Sequence, residues 1–174
     1  MRSLFEPYKK EIFPISLILI LAFARLIPHP PNFTPIIAVA ILSGYLFKNI
    51  YLSLITLFVA MLLSDFFIGF YKNIFFVYFS LFLITLIFYK INKKINFKNL
   101  FIFGFFGSLI FYLISNFGVW ALGKLYTKNL QGLITCYFLA LPFFKNTLLS
   151  TIIFSYTAYV VNYFYIKKLK SILN

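Results

Sequence analysis

The sequence predicts an all-α integral membrane protein of six transmembrane helices, a single transmembrane domain over residues 1–174 with both termini in the cytoplasm. Three observations predict it. The chain is 63% hydrophobic and 11% charged, with a mean hydropathy of +0.96, far outside the range of soluble domains. Apolar runs approaching the length of a membrane span recur between short polar breakers, and 174 residues of such runs leave no room for a separate soluble domain. The basic residues lie in short segments flanking those runs, so the net charge of +13 reads as topology and attraction to anionic headgroups of the lipid bilayer, with no nucleic-acid partner.

The first span is expected over 12–27. Arg2, Lys9 and Lys10, the apolar stretch from Ile12 and then Ala22-Phe23-Ala24 imitate a cleavable secretory signal. Pro14, the acidic Glu11 and five further apolar segments favour a retained helix. The second span, 35–47, is short: about 13 residues rise about 20 Å, less than the roughly 30 Å hydrocarbon layer, so it needs its flanks or shielding by protein. The remaining spans are expected over 51–70, 74–89, 100–122 and 143–165.

Between the last two spans, segment 123–142 interleaves apolar and polar residues. Leu130, Leu133, Ile134, Tyr137, Phe138 and Leu141 follow the spacing of one helix face, which predicts either a short amphipathic helix at the outer surface or a re-entrant, packed loop. With the N-terminus inside, the inner segments carry Arg2, Lys9, Lys10, Lys48, Lys90, Lys93, Lys94, Lys98, Lys167, Lys168 and Lys170, 11 of the 16 basic residues. The outer set is Arg25, Lys72, Lys124, Lys128 and Lys145, an asymmetry that sets the orientation.

Polar groups then meet at one depth. Arg25 ends the first span, and Asp65 lies about 14 residues, or about 21 Å, into the third, which also runs outward. The fifth brings Ser115 and Asn116 to the same layer, with Trp120 at the interface, and the sixth starts there with Lys145, Asn146 and Thr147. The connector from Arg25 to Pro35 adds the chain's only histidine, His29, with Asn32, Phe33 and four of the seven prolines, Pro28, Pro30, Pro31 and Pro35. Proline fixes its own φ and restrains the residue before it, so this connector is stiff and shaped like a lid or a wall.

An intramembrane Asp is a functional hypothesis by default, and the cations expected near Asp65 are Arg25 and Lys145. Arg25, His29, Asn32, Asp65, Asn116, Lys145 and Asn146 form the expected substrate site. Pro28, Pro30, Pro31, Phe33 and Trp120 form its gate. Each has a plainer reading: an Arg25–Asp65 helix lock, a snorkelling Lys145, and Asn116 and Asn146 as interhelical glue. Two cations against one acid favour a carboxylate-bearing or neutral polar solute.

Catalysis is not expected. No phosphate loop, Gly-x-Ser-x-Gly or His-Glu-x-x-His motif is present, and one His with one intramembrane Asp is a thin acid-base stock. His29 and Asp65 alone complete no metal shell, and the single Cys136 makes neither an internal disulfide nor a cysteine metal site, so no cofactor or metal is expected.

The motifs Arg25 to Ile36, Leu63-Ser64-Asp65 with Gly69, Asn116 to Trp120, Gly132-Leu133, Cys136-Tyr137 and Ala140 to Leu148 resemble an uncharacterised family of small bacterial membrane proteins assigned to transport. The resemblance covers roughly residues 22–150 in the same order. That family is similar in turn to the substrate-binding S components of energy-coupling-factor (ECF) vitamin transporters. The resemblance implies a six-helix bundle in the bacterial inner membrane, with an outer ligand site surrounded by the Pro28 to Thr34 connector, the Lys72-Asn73 turn and the Gly123 to Pro142 segment. It also implies a transmembrane coupling subunit with ATPases as partner. The small-residue pairs that face that subunit in the class are missing here, since Ala22 is followed four later by Leu26 and Ala38 by Leu42. The rival expectations are a stand-alone proton-coupled secondary transporter using Asp65, and a structural membrane partner of cell-envelope machinery.

Overall fold

The computed structural model describes the backbone of residues 6–47, 49–91 and 95–173, with side chains from Ile12 to Lys167 within those limits. Arg2, Lys48, Lys93 and Lys94, used above to orient the chain, lie outside the described residues, as do the side chains of Lys9, Lys10, Lys168 and Lys170. Every described regular element is helical: α1 (Glu6–Phe23), a single 3-10 turn (Ala24–Leu26), α2 (Ile36–Leu46), α3 (Ile50–Ile68), α4 (Ile74–Lys90), α5 (Leu100–Leu122), α6 (Leu130–Leu139) and α7 (Leu141–Leu173).

Helix α2 is the hub. It is 11 residues long, about 17 Å, and every residue from Ile36 to Gly44 is buried. A helix apolar on all sides has to be surrounded on all sides, and α1, α3, α4, α5 and α7 all pack against it. The shielding that its shortness demands is supplied by the rest of the chain. The closest approach is to α4: a Cβ on Gly44 would stand 2.6 Å from the Tyr89 backbone nitrogen.

Helix α5 turns its small residues inward, and three of its glycines face three different neighbours. Gly104 lies against Thr151 and Ile152 of α7, Gly107 against Ile37 and Ile41 of α2, and Gly118 against the Phe76 ring of α4. The face of α7 towards the interior is also small and polar, with Thr147, Ser150, Thr151, Ser155 and Ala158 buried. Close backbone approach over small residues is the usual way helices associate where lipid offers no hydrophobic drive. Some buried hydroxyls bond back along their own helix, as Ser43 does to the Ala40 carbonyl at 3.1 Å and Ser80 to that of Val77 at 2.7 Å, whereas those of Ser53, Ser108, Thr151 and Ser155 have no hydrogen-bond partner among the described residues.

By length and composition α3 and α5 can each cross a membrane, and α6 with the Leu141–Lys167 part of α7, bent by 47° at their break, makes a third candidate. The other apolar helices, Ile12–Leu26, Ile36–Leu46 and Ile74–Lys90, are shorter. Large exposed apolar side chains, among them Tyr51, Phe66, Phe75 and Phe101, cover the outside of the bundle. This is the surface expected of a chain whose solvent is lipid.

Several boundaries differ from the sequence expectation for local reasons. The third helix stops at Ile68 because Gly69, at φ 99°, takes a conformation that ends it, with its N–H donating to the Asp65 carbonyl at 2.8 Å. It starts at Ile50 because the Asn49 side chain accepts from the Tyr51 N–H at 2.8 Å. Helix α7 runs to Leu173 rather than Tyr165, since Lys, Leu and Ile sustain a helix after the apolar run ends. Within segment 123–142 the helix is α6. Leu130, Ile134 and Phe138 lie exposed along one face and Gly132 and Cys136 are buried on the other, while Leu141, expected on the same face, opens α7 beyond the bend.

Gly44→Ala should lower stability by about 1–3 kcal/mol, since its Cβ meets backbone that cannot rotate away. Gly104→Ala, where the nearest atom is an Ile152 side-chain carbon at 3.4 Å, should change it little. Thermal unfolding of both variants in the same detergent checks the contrast, and equal losses would refute the account of the α2–α4 contact.

Candidate functional site

One end of the bundle collects the 3-10 turn, the connector to α2, the α3–α4 turn, the second half of α5, and the α6–α7 junction. A cavity of 460 Å³ lies among them. The sequence fixes the connector's shape. Pro30-Pro31-Asn32-Phe33 forms a turn closed by the Phe33 N–H donating to the Pro30 carbonyl at 3.0 Å, with Asn32 at φ 61°. Proline then positive φ is the type II order, and Asn is one of the few residues that tolerate the second position. Asn146 of α7 donates to the Pro31 carbonyl at 3.0 Å and fastens this turn across 115 positions of sequence.

His29 is exposed and braces the connector from within: Nδ1 lies 2.9 Å from the Pro30 carbonyl and Nε2 3.2 Å from that of Arg25. Whichever nitrogen carries the proton, its acceptor is backbone of the connector itself. Pro31, Asn32 and Thr34 form the connector's share of the cavity wall. Pro28 and Pro30 are exposed and off that wall, and Phe33 turns towards α7, edge-on to Phe154 at 6.1 Å.

Arg25, the middle residue of the 3-10 turn, forms an ion pair with Asp65 of α3, Nη2 to Oδ1 at 2.9 Å, with side-chain exposures of 9% and 0%. Arg25 Nη1 also donates to Ser64 Oγ at 2.6 Å. The second carboxylate oxygen of Asp65 accepts from the Tyr78 hydroxyl of α4 at 2.8 Å. The Nη2–Oδ1 contact is a close charge pair without the direction of a good hydrogen bond, for Oδ1 has no hydrogen-bond partner among the described residues. Arg25 Nε is likewise buried without an acceptor among them.

Tyr71, in the α3–α4 turn, completes this corner. Burial pushes its hydroxyl up to about 12, with the Asp65 carboxylate adding to the rise and the Arg25 guanidinium opposing it. It therefore stands on the cavity wall as a neutral phenol.

The far wall is built by α5 and α6, stitched together reciprocally. The Tyr112 hydroxyl donates to the Tyr137 carbonyl at 2.5 Å, and the Tyr137 hydroxyl to the Leu113 carbonyl at 2.7 Å. Asn116 donates to the Tyr112 carbonyl at 2.8 Å and lines the cavity with Ser115 and Cys136. The α5–α6 loop is held by Lys128, whose ammonium donates to the Trp120 carbonyl and to those of Ala121 at 3.1 Å and Gly123 at 2.7 Å, capping the negative end of α5. It also lies 5.4 Å over the Trp120 ring, and Trp120 Nε1 donates to the Thr127 carbonyl at 2.9 Å. Tyr126 of that loop reaches the cavity, whereas Trp120 does not.

Of the expected site residues, Arg25, Asn32 and Asn116 line the cavity, and Asp65 lies buried against Arg25. Asn146 acts on the connector from behind. Lys145 is exposed, off the cavity wall, and has no ion-pair or hydrogen-bond partner among the described residues. Sequence reasoning missed Tyr71, Tyr78, Tyr126 and Phe143. No group of three or more metal-ligating side chains is found among the described residues.

Fold and site together define a small all-helical protein, two or three of whose helices are long and apolar enough to cross a membrane, with a cavity at one end of its bundle. The chain belongs to a family of unknown function, DUF6580, which it matches over residues 6–172. Neither a curated protein nor a solved structure matches it.

Removing one member of a buried ion pair leaves the other charge uncompensated. Arg25→Ala and Asp65→Ala should each cost about 3–5 kcal/mol of stability. The double variant should lose clearly less than the sum. A double-mutant cycle on thermal unfolding measures the coupling, and strict additivity would show that the two side chains do not hold each other.

Proposed function

We propose that this protein captures a small, uncharged polar solute from the outer side of a bacterial inner membrane, in the manner of an ECF transporter substrate-binding subunit. In this reading the six apolar segments all span, both termini are cytoplasmic, the connector and the α5–α6 loop gate the cavity, and a coupling subunit with ATPases supplies the energy.

The observation that carries the reading is the cavity itself. Its 460 Å³ falls in the range of small-molecule sites, and polar groups from separate segments converge on its wall: Asn32, Tyr71, Asn73, Asn116 and Tyr126. Aromatic and aliphatic neighbours such as Phe111, Val119 and Phe143 supply the larger, apolar part of the lining. Among the described residues lining it, Arg25 is the one charged group, and Asp65 balances that charge at 2.9 Å. With Lys145 off the wall, no unspent cation is left for a carboxylate. Amides, phenols and the spare Arg25 Nε favour a ligand recognised by hydrogen bonds.

Native mass spectrometry of gently extracted protein should detect a neutral small molecule. Asn116→Ala and Tyr126→Ala should each reduce its occupancy and cellular uptake about tenfold, the effect of removing one hydrogen bond in a desolvated site. Correctly inserted variants with unchanged occupancy and uptake would remove the capture model, and a tightly held carboxylate would remove the uncharged class.

A further inference from the structure

A second cavity lies at the opposite end of the bundle. It measures 230 Å³ and is lined by Tyr45 at the end of α2 and by Tyr159, Asn162, Tyr163, Ile166 and Lys167 of α7. We propose that this groove binds the phosphate of an anionic lipid headgroup in the leaflet opposite the first cavity.

Depth places the groove among headgroups. Helix α7 is 33 residues long, and Asn162 stands about 21 residues, or about 32 Å, beyond Leu141, which flanks the first cavity. That is close to the roughly 30 Å hydrocarbon thickness, so the groove opens where the acyl region ends. The tyrosines fit the same level, since phenols favour the membrane–water interface.

Asn162 points to a ligand. It is only 6% exposed, lines the groove, and its amide has no hydrogen-bond partner among the described residues. The little surface it keeps opens on the groove, so its amide is available to bond whatever enters there. The Tyr45 and Tyr159 rings stack at 5.8 Å, which brings two phenols to the groove as donors beside it.

The charge selects an anion. Among the described residues Lys167 is the one charged group lining the groove, and the segments that the sequence assigns to this end carry 11 Lys and Arg against Glu6 and Glu11. Ile166 is exposed and lines the groove beside Lys167, while the exposed Val160, Val161 and Phe164 lie on other faces of α7, as lipid-facing residues would. The depth of the groove, with tyrosines of interfacial character around it, favours a lipid headgroup over a free phosphate.

Native mass spectrometry of the full chain titrated with phosphatidylglycerol or phosphatidylcholine of matched acyl chains tests the proposal. The expected result is one retained phosphatidylglycerol, preferred about fivefold or more, with Lys167→Gln and Asn162→Ala each removing the preference. Lys98→Gln, an exposed lysine off the groove, should keep it. Equal retention of both lipids overturns the site. So does an equal loss in Lys98→Gln and Lys167→Gln, which would mean diffuse attraction. Displacement by excess inorganic phosphate assigns the groove to the free anion and overturns the lipid. Should Asn162→Ala fail to fold, the exposed Lys167→Gln decides alone.

Discussion

The ion pair between Arg25 and Asp65 is the constraint on which the first cavity depends. It joins the end of the first helix to the third, and Tyr78 brings in the fourth through the other carboxylate oxygen. A charge sealed in a low-dielectric interior is tolerable only with its partner in place, so the pair fixes the relative height of three helices as well as their contact. Arg25 also begins the proline connector, and its backbone carbonyl faces the His29 ring. The wall of the cavity is therefore hung from the same residue that balances the buried acid.

A second constraint comes from α2, which is too short to reach across a bilayer and too apolar to meet water. Both difficulties are met by enclosing it. The enclosure works only where neighbours come close, which is why Gly44 faces the backbone of α4 and Gly107 faces Ile41 of α2. The connector ends in Pro35, whose carbonyl accepts from the Val39 N–H at 2.9 Å and so starts this central helix. The lid-like turn is consequently anchored at both ends, to Arg25 on one side and to the most buried element on the other.

Much of the helical order was legible, because long apolar runs between short polar breakers leave few other readings, although the stop at Gly69 inside the expected third span was not foreseen. The shortness of α2 announced its need for shielding, and the face spacing from Leu130 announced a helix in segment 123–142, although it did not reveal that Leu141 opens the next helix almost at once. Arg25, Asp65 and Asn116 stood out because polar groups are rare inside spans. Tyr71, Tyr78 and Tyr126 did not, for 13 tyrosines are scattered along the chain and spacing cannot tell a phenol that turns inward from one that faces lipid. Lys145 illustrates the converse. Its depth matched the site, but a residue's level along a helix says nothing of the side it faces, and its neighbour Asn146 is the one that reaches the connector.

The two ends of the bundle treat charge in opposite ways, and the difference follows from what surrounds each. At the first cavity the cation and the acid are both removed from solvent, so each must have the other, and the wall they leave presents hydrogen-bonding groups with almost no net charge. At the far groove Lys167 sits at an exposed helix surface where its surroundings can screen it, so no acid is required and the positive charge remains available. An unpartnered amide beside an available cation, as at Asn162 and Lys167, suits an anion that brings its own acceptors. A balanced ion pair beside unspent amides and phenols suits a neutral molecule. The same low dielectric that makes charge expensive within the bundle thus sets the chemistry each end can recognise.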